Sequence, residues 1–283
     1  MTQTALEVLK DKFGYDSFRP GQDEIINKIM NHENVLAVMP TGGGKSLCYQ
    51  IPALILPGLT VVVSPLISLM KDQVDALSEN GIPATFINST LDYQEIEHRL
   101  QQAAMDQVKL IYLAPERLDD ERFLSELSDL NISQLAIDEA HCISQWGHDF
   151  RPSYLNLMNT VHQFPSHPVV VALTATATSK VASDIMQRLN INPSNEVSTG
   201  FARENLSFQV VKNQNKEAFL LEYLKVNANA AGIIYASTRK EVERLTGLLQ
   251  QKGSKAEMYH AGLNEDMRNK TQEDFLYDSV QLM

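Results

Sequence analysis

The segment Val35-Leu36-Ala37-Val38-Met39-Pro40-Thr41-Gly42-Gly43-Gly44-Lys45-Ser46 restricts the possible folds more than any other part of the chain. An apolar run of this length suits a buried parallel strand. Three glycines after it let the backbone curl so that several N–H groups point inward at phosphate oxygens. A helix starting at Lys45 adds the positive end of its dipole to the same place. Thr41, Gly42, Gly43 and Gly44 would then cradle a nucleoside triphosphate, Lys45 would reach the β and γ phosphates, and the Ser46 hydroxyl would hold Mg²⁺. Met39 stands where the common form of this loop has its first glycine, so the motif is a variant, and a flexible turn is the alternative.

About ninety residues downstream, Leu135-Ala136-Ile137 is another short apolar run and ends in Asp138-Glu139-Ala140-His141. Two adjacent carboxylates at a strand end suit two tasks. Asp138 can complete a Mg²⁺ shell through water, and Glu139 can orient and deprotonate the water that attacks the γ-phosphate. A solvated helix start would also favour acidic residues, but the strand-loop-Lys-Ser unit upstream argues against it.

Short β-branched runs recur at Thr60–Val63, Ala84–Ile87, Lys109–Leu113 and Val169–Leu173, with amphipathic stretches such as Leu69–Leu77 between them. This alternation predicts an α/β fold, a parallel sheet with helices on both faces. Residues 190–207 turn polar and irregular, which places a boundary between a first domain, 1–205, and a second, 206–283. In the second, strands are expected at Phe208–Val211, Gly232–Tyr235, Ala256–Tyr259 and Val280–Met283, with helices near 215–226, 238–251 and 264–276. The last strand stops without a turn or cap, so the second domain is expected to be truncated.

The 283 residues are 43% hydrophobic, with no apolar run of eighteen and no secretory leader, which predicts a cytoplasmic protein with no membrane partner. Cys48 and Cys142 are too few for a disulfide framework or a four-cysteine zinc site. The net charge is −11; residues 1–205 hold 14 Lys+Arg and 25 Asp+Glu, whereas residues 206–283 hold 10 of each. A nucleic-acid groove would therefore be local, built from a few basic side chains, polar loops and backbone amides.

Several stretches together resemble the RecQ DNA helicases of helicase superfamily two, over essentially the whole chain. Phe13 to Gln22 resembles the family's adenine-reading segment, with Tyr15 stacking on the base and Arg19 and Gln22 holding its edge. Met39 to Gln50 resembles its nucleotide loop, for which the missing first glycine is normal. Ser64 to Gln73 (with Ser64 and Lys71), Asn88-Ser89-Thr90 and Ala114 to Leu118 are similar to segments that touch the backbone of single-stranded DNA. Thr174 to Ala177 is similar to the motif that couples the nucleotide site to the strand groove. Ile143 to Tyr154 resembles the family's aromatic-rich loop; Trp146 and Phe150 can stack on unpaired bases, Arg151 adds charge, and His148 lies among them. In the second domain Thr238, Arg239 and His260 match segments that meet the other side of the strand.

The resemblance implies a RecA-like P-loop domain followed by an incomplete second RecA-like domain. It also implies ATP and Mg²⁺ as nucleotide and metal, single-stranded and partly duplex DNA as partner, and ATP-driven 3′ to 5′ translocation with strand separation in DNA repair and recombination. Family segments that would follow Met283, including the arginine finger and a zinc-binding module, are absent, so weak hydrolysis and no unwinding are expected of this chain. Two other readings stay open: a non-hydrolysing ATP- and DNA-binding module, and a small-molecule P-loop kinase.

Overall fold

Runs of Val, Ile and Leu bounded by glycine and polar residues become strands buried on both faces, because a parallel sheet is covered by helices above and below. A computed structural model of the chain describes residues 4–147, 150–154, 157, 164–200 and 205–283. Within it, 1–204 and 205–283 form two separate units.

In the first unit the strands are β1 (Val35–Val38), β2 (Leu59–Val63), β3 (Ala84–Ile87), β4 (Leu110–Leu113), β5 (Ile132–Ile137), β6 (Val169–Thr174) and β7 (Glu196–Ser198). All pairings are parallel, in the order β3-β4-β2-β5-β6-β1-β7. The helices are α1 (Ala5–Phe13), α2 (Gln22–Met30), α3 (Lys45–Ile55), α4 (Ile67–Glu79), α5 (Tyr93–Ala104), α6 (Glu121–Ser128) and α7 (Ser179–Arg188). One sheet face, with Ile25, Tyr49, Val62, Met70 and Tyr112, packs under α2, α3 and α4. The other, with Val61, Ile96, Phe123, Leu135 and Ile185, packs under α5, α6 and α7. This is the RecA-like P-loop architecture, in which ligands gather at the carboxyl ends of the strands.

Helix starts divide by role. Thr4, Asp92, Asp120 and Thr178 cap α1, α5, α6 and α7 with their side chains. Helices α2, α3 and α4 begin at Gly21, Gly44 and Leu66 with no side-chain cap, which leaves their first N–H groups available to an outside acceptor.

Strand β7 lies inside the stretch that the sequence reads as an irregular boundary. Of its residues only Val197 is buried, so no alternation is visible, yet it pairs with β1 through Leu36↔Glu196 and Val38↔Ser198. Lys28 Nζ donates to Asn195 Oδ1 (3.0 Å) and Asn195 Nδ2 to the Asn34 carbonyl (3.0 Å), which hold the approach to β7.

The second unit has α8 (Lys216–Val226), α9 (Arg239–Gln251) and α10 (Glu265–Leu276), close to the expected ranges. The four strands expected there are not formed. Gly232 and Ala256 each make a single parallel bridge to Leu282, supported by bonds such as Ile234 N–H to the Met283 carbonyl (2.8 Å) and Glu257 N–H to the Leu282 carbonyl (2.9 Å). Phe208–Val211 pairs with no other described segment, and Phe208 is 91% exposed.

Candidate active site

The turn after β1 is closed by the Gly43 N–H donating to the Pro40 carbonyl (2.9 Å), and Gly44 enters α3 with φ 81°, ψ 34°. That left-handed conformation suits glycine, and a Cβ there would run into the Gln22 amide. Lys45 Nζ donates to the Met39 carbonyl at 3.2 Å, so the ammonium lies folded over the loop it would serve.

Arg19 and Gln22, which the resemblance expects to read adenine, are tied to this same loop. The Arg19 guanidinium donates to the Gly42 carbonyl, Gln22 Nε2 donates to the Gly44 carbonyl at 2.9 Å, and Gln22 Oε1 accepts from the Arg19 N–H at 2.8 Å. Tyr15 stands 51% exposed above them. Together with Ser46 on α3 and Gln73 on α4 they line a cleft of about 320 Å³. Thr41 is exposed at the loop tip.

At the end of β5, Asp138 Oδ1 accepts from the Glu139 N–H at 3.0 Å, and the Tyr154 hydroxyl donates to the Asp138 carbonyl at 3.3 Å. Burial raises the Asp138 carboxyl to about 6; the Glu139 charge adds to the rise, while the Glu139 N–H, Lys45 and His141 oppose it. Glu139 has φ 49°, ψ 45°, an uncommon conformation for a non-glycine residue that aims its side chain across the strand end. Its Oε2 lies 3.2 Å from His141 Nδ1, which is also 3.0 Å from Thr174 Oγ1. Thr174 Oγ1 donates to the Thr176 carbonyl (3.0 Å), so its proton is committed and His141 Nδ1 supplies the other. His141 therefore links the acidic pair to the Thr174–Ala177 segment.

The residues fit Mg²⁺ bound with a triphosphate. Lys45 and the uncapped start of α3 supply positive potential, while the Asp138 carboxylate, once ionised, and the Ser46 hydroxyl would supply oxygen ligands. Among the described residues no cluster of three His, Cys, Asp or Glu could hold a metal alone, so the remaining ligands would come from phosphate and water.

Because the folded Asp138 keeps its proton up to about pH 6 and an unfolded aspartate only to about 3.9, the folded state loses stability as pH rises between those values. Without divalent ions, Asp138→Asn is expected to be more stable than the unmodified chain at pH 7.5 by up to about 3 kcal/mol, with the gap closing near pH 4. Denaturant unfolding in EDTA at the two pH values measures this; equal stability at pH 7.5 counts against it.

Among the residues expected to touch a strand, Lys71 and Ser89 are exposed, but Ser64 and Asn88 are each 2% exposed. Asn88 Oδ1 accepts from the Thr90 N–H and hydroxyl, and its carbonyl from Arg117 at 2.6 Å, so it shapes its turn. Ser64 Oγ has no hydrogen-bond partner among the described residues. Trp146 is 63% exposed, and Lys180 Nζ stands 3.1 Å from its ring centroid, a cation–π contact not anticipated from sequence because Lys180 carries no motif. Phe150 is half-buried, and Arg151 donates to the Pro65 carbonyl at 3.2 Å, joining the aromatic loop to the turn after β2. His148 lies outside the described residues. Both cysteines are buried, and burial pushes the Cys48 thiol up to about 12, as expected of packing residues.

In the second unit Thr238 Oγ1 accepts from the Glu241 N–H at 3.2 Å and starts α9. His260 Nδ1 accepts from the Gly262 N–H at 3.2 Å, and its Nε2 stays 3.6 Å from Glu243, too far for a hydrogen bond. A Cβ on Gly262 would touch both Arg239 and His260, so these two residues share one corner of the unit.

Residues 19–185 match the DEAD/DEAH box helicase family. The chain is 51% identical to the ATP-dependent DNA helicase RecQ of Bacillus subtilis over all of its length and 48% of the relative's. It is 45% identical to that of Haemophilus influenzae, covering 99% of this chain and 45% of the relative. The chain thus spans about half the length of the curated relatives it matches. No helix is long and apolar enough to cross a membrane among the described residues. A crystal structure of the DUF1998 helicase MrfA bound to DNA superposes with a TM-score of 0.76 at 18% identity, covering 99% of this chain and 44% of that one.

Proposed function

Because the chain belongs to the DEAD/DEAH box helicase family, we propose that it carries the ATP-hydrolysing part of a RecQ-type DNA helicase that moves 3′ to 5′ along single-stranded DNA and separates duplexes in repair and recombination. Residues 1–205 form the ATP-binding domain in this reading, and 206–283 belong to a second RecA-like domain. The observation that carries it is the shared strand end: Glu139, the water-activating carboxylate, and Trp146, the exposed aromatic, follow β5 seven residues apart, joined by the short 3₁₀ helix Ala140–Ile143. Chemistry and strand contact are thereby coupled through a short, hydrogen-bonded segment.

Tyr15 stacks on adenine while Arg19 and Gln22 read its edge. Both also grip carbonyls of the phosphate loop, so base recognition and loop shape are one event. Lys45 leaves the Met39 carbonyl for the phosphates, gaining charge-assisted bonds in exchange for a weaker one. Ser46 and, through water, Asp138 would hold Mg²⁺, which would supply positive charge against the phosphate oxygens. Glu139 takes a proton from the attacking water, and His141 keeps that carboxylate oriented toward Thr174.

ATP hydrolysis by the 283-residue chain, with and without oligothymidylate and with Lys45→Ala as control, tests this reading. Stimulation by DNA that disappears in Lys45→Ala is expected. Turnover indifferent to DNA would favour a small-molecule kinase, and nucleotide binding without turnover would favour a binding module.

Trp146 stacking on a base leads to a further expectation. Trp146→Ala should weaken oligothymidylate binding by about 5- to 150-fold, since one base–aromatic stack is worth about 1–3 kcal/mol. Fluorescence anisotropy of a labelled strand measures it, and unchanged affinity would assign Trp146 a role outside strand binding.

A further inference from the structure

Between the phosphate loop and the turn after β2 runs a buried row of polar side chains that hydrolysis does not use. Tyr49 on α3 and Tyr112 on β4 are 2% and 1% exposed, and their hydroxyls are 3.2 Å apart. Their rings meet edge to face, with centroids 6.4 Å apart. Gln50 Nε2 donates both to the Tyr112 hydroxyl (3.2 Å) and to Gln73 Oε1 on α4 (3.1 Å). Gln134 Nε2 donates to the Tyr49 carbonyl at 3.2 Å and fixes the α3 turn over the sheet.

The Gln50 amide ties the row together. Both Gln50 Nε2 hydrogens are used, one on Gln73 Oε1 and one on the Tyr112 hydroxyl, which is in turn bonded to the Tyr49 hydroxyl. A nucleotide that fills the cleft meets Gln50 and Gln73 directly, and a shift of either amide makes the others re-aim. In an apolar layer such a re-aiming is not absorbed by water, because buried polar groups stay bonded to one another. The last member, Gln73, sits on α4 two residues after the exposed Lys71, and α4 begins directly at the turn that accepts Arg151 of the aromatic loop. Gln50 and Gln73 line the nucleotide cleft, so the amide pair stands between that cleft and α4.

We propose that the Gln50–Gln73 amide pair, backed by the Tyr49–Tyr112 hydroxyls, is a positioning device through which occupancy of the nucleotide cleft sets the placement of α4 and of Lys71 on the strand-binding surface. The proposal rests on the ATP- and DNA-binding function given above. It assigns these four residues to energetic coupling between two ligands and to neither chemistry nor direct strand contact.

The test is the affinity of a non-hydrolysable ATP analogue with Mg²⁺, measured by equilibrium binding with and without saturating oligothymidylate. The ratio of the two affinities is the coupling factor, and it must be reciprocal. The unmodified chain is expected to show a factor of about five or more. Gln73→Met, which keeps length but removes the acceptor, and Tyr112→Phe, which removes the central hydroxyl, should bring it to about one. Gln73→Glu keeps an acceptor oxygen in place and should restore it to within about twofold, a rescue that a merely structural role does not predict. Retained coupling in both Gln73→Met and Tyr112→Phe, with cooperative unfolding intact, would overturn the proposal while leaving the function standing. A factor of one in the unmodified chain would overturn the functional reading and the proposal with it.

Discussion

Replacing Lys45 with alanine is expected to lower ATP hydrolysis by about 10²–10³-fold, the loss seen when one preorganised electrostatic donor is removed from a reacting centre. The argument rests on position. Lys45 is the first residue of α3, whose entry through Gly44 leaves the leading N–H groups without a side-chain cap, so its ammonium and the backbone dipoles converge on one small volume. In the free chain the ammonium is held at 3.2 Å by the Met39 carbonyl, a neutral acceptor that a phosphate oxygen outcompetes. Lys45 also lowers the pKa of Asp138, so its loss would make that buried carboxyl keep its proton to still higher pH. Steady-state hydrolysis at saturating ATP with oligothymidylate, beside binding of a fluorescent nucleotide, separates the two effects. More than about a tenth of normal turnover in Lys45→Ala would place the phosphate site elsewhere.

Glu139→Gln is expected to remove about 10²–10⁴-fold of the hydrolysis rate, the range ascribed to a positioned general base. Nucleotide binding should persist, because the amide is isosteric and Glu139 is neither in the phosphate loop nor a proposed metal ligand. The substitution keeps the 3.2 Å approach to His141 available while abolishing the proton acceptor. The strained backbone at φ 49°, ψ 45° also stays, so a loss of rate reports on the carboxylate and not on a collapsed turn. Single-turnover hydrolysis with pre-bound ATP checks the prediction. Near-normal single turnover would move the base to another group, and lost binding would assign Glu139 to the nucleotide instead.

Much of this was open to a reader of the chain. Val35–Val38 and Val169–Thr174 are too apolar to stand anywhere except the centre of a covered parallel sheet, and the glycines before Lys45 are needed for a left-handed entry into α3. The helices after Asn215, Thr238 and Asn264 were marked by capping residues followed by helix formers. Around Gly232, Ala256 and Val280 isolated bridges stand in place of the expected strands. Their β-branched and aromatic residues describe a propensity, and propensity becomes a strand only where a neighbouring segment supplies a continuous ladder. The reverse happened at Glu196–Ser198, where three unremarkable residues pair along the edge of β1.

What the sequence determined by itself is therefore local: which segments are strands of a buried sheet, where the phosphate loop turns, and which residue types stand ready at the strand ends. These follow from backbone sterics and from periodicity, which neighbours in the chain impose on one another. Only the tertiary structure decided which polar side chains face outward, and it buried Ser64 and Asn88 while leaving Trp146 exposed beneath Lys180. It alone tied Arg19 and Gln22 to the phosphate loop, set Arg151 on the Pro65 carbonyl 86 residues away, and raised the Asp138 carboxyl to about 6. Such outcomes depend on desolvation and on the meeting of groups distant in sequence, which exist only once the sheet and its helices have packed.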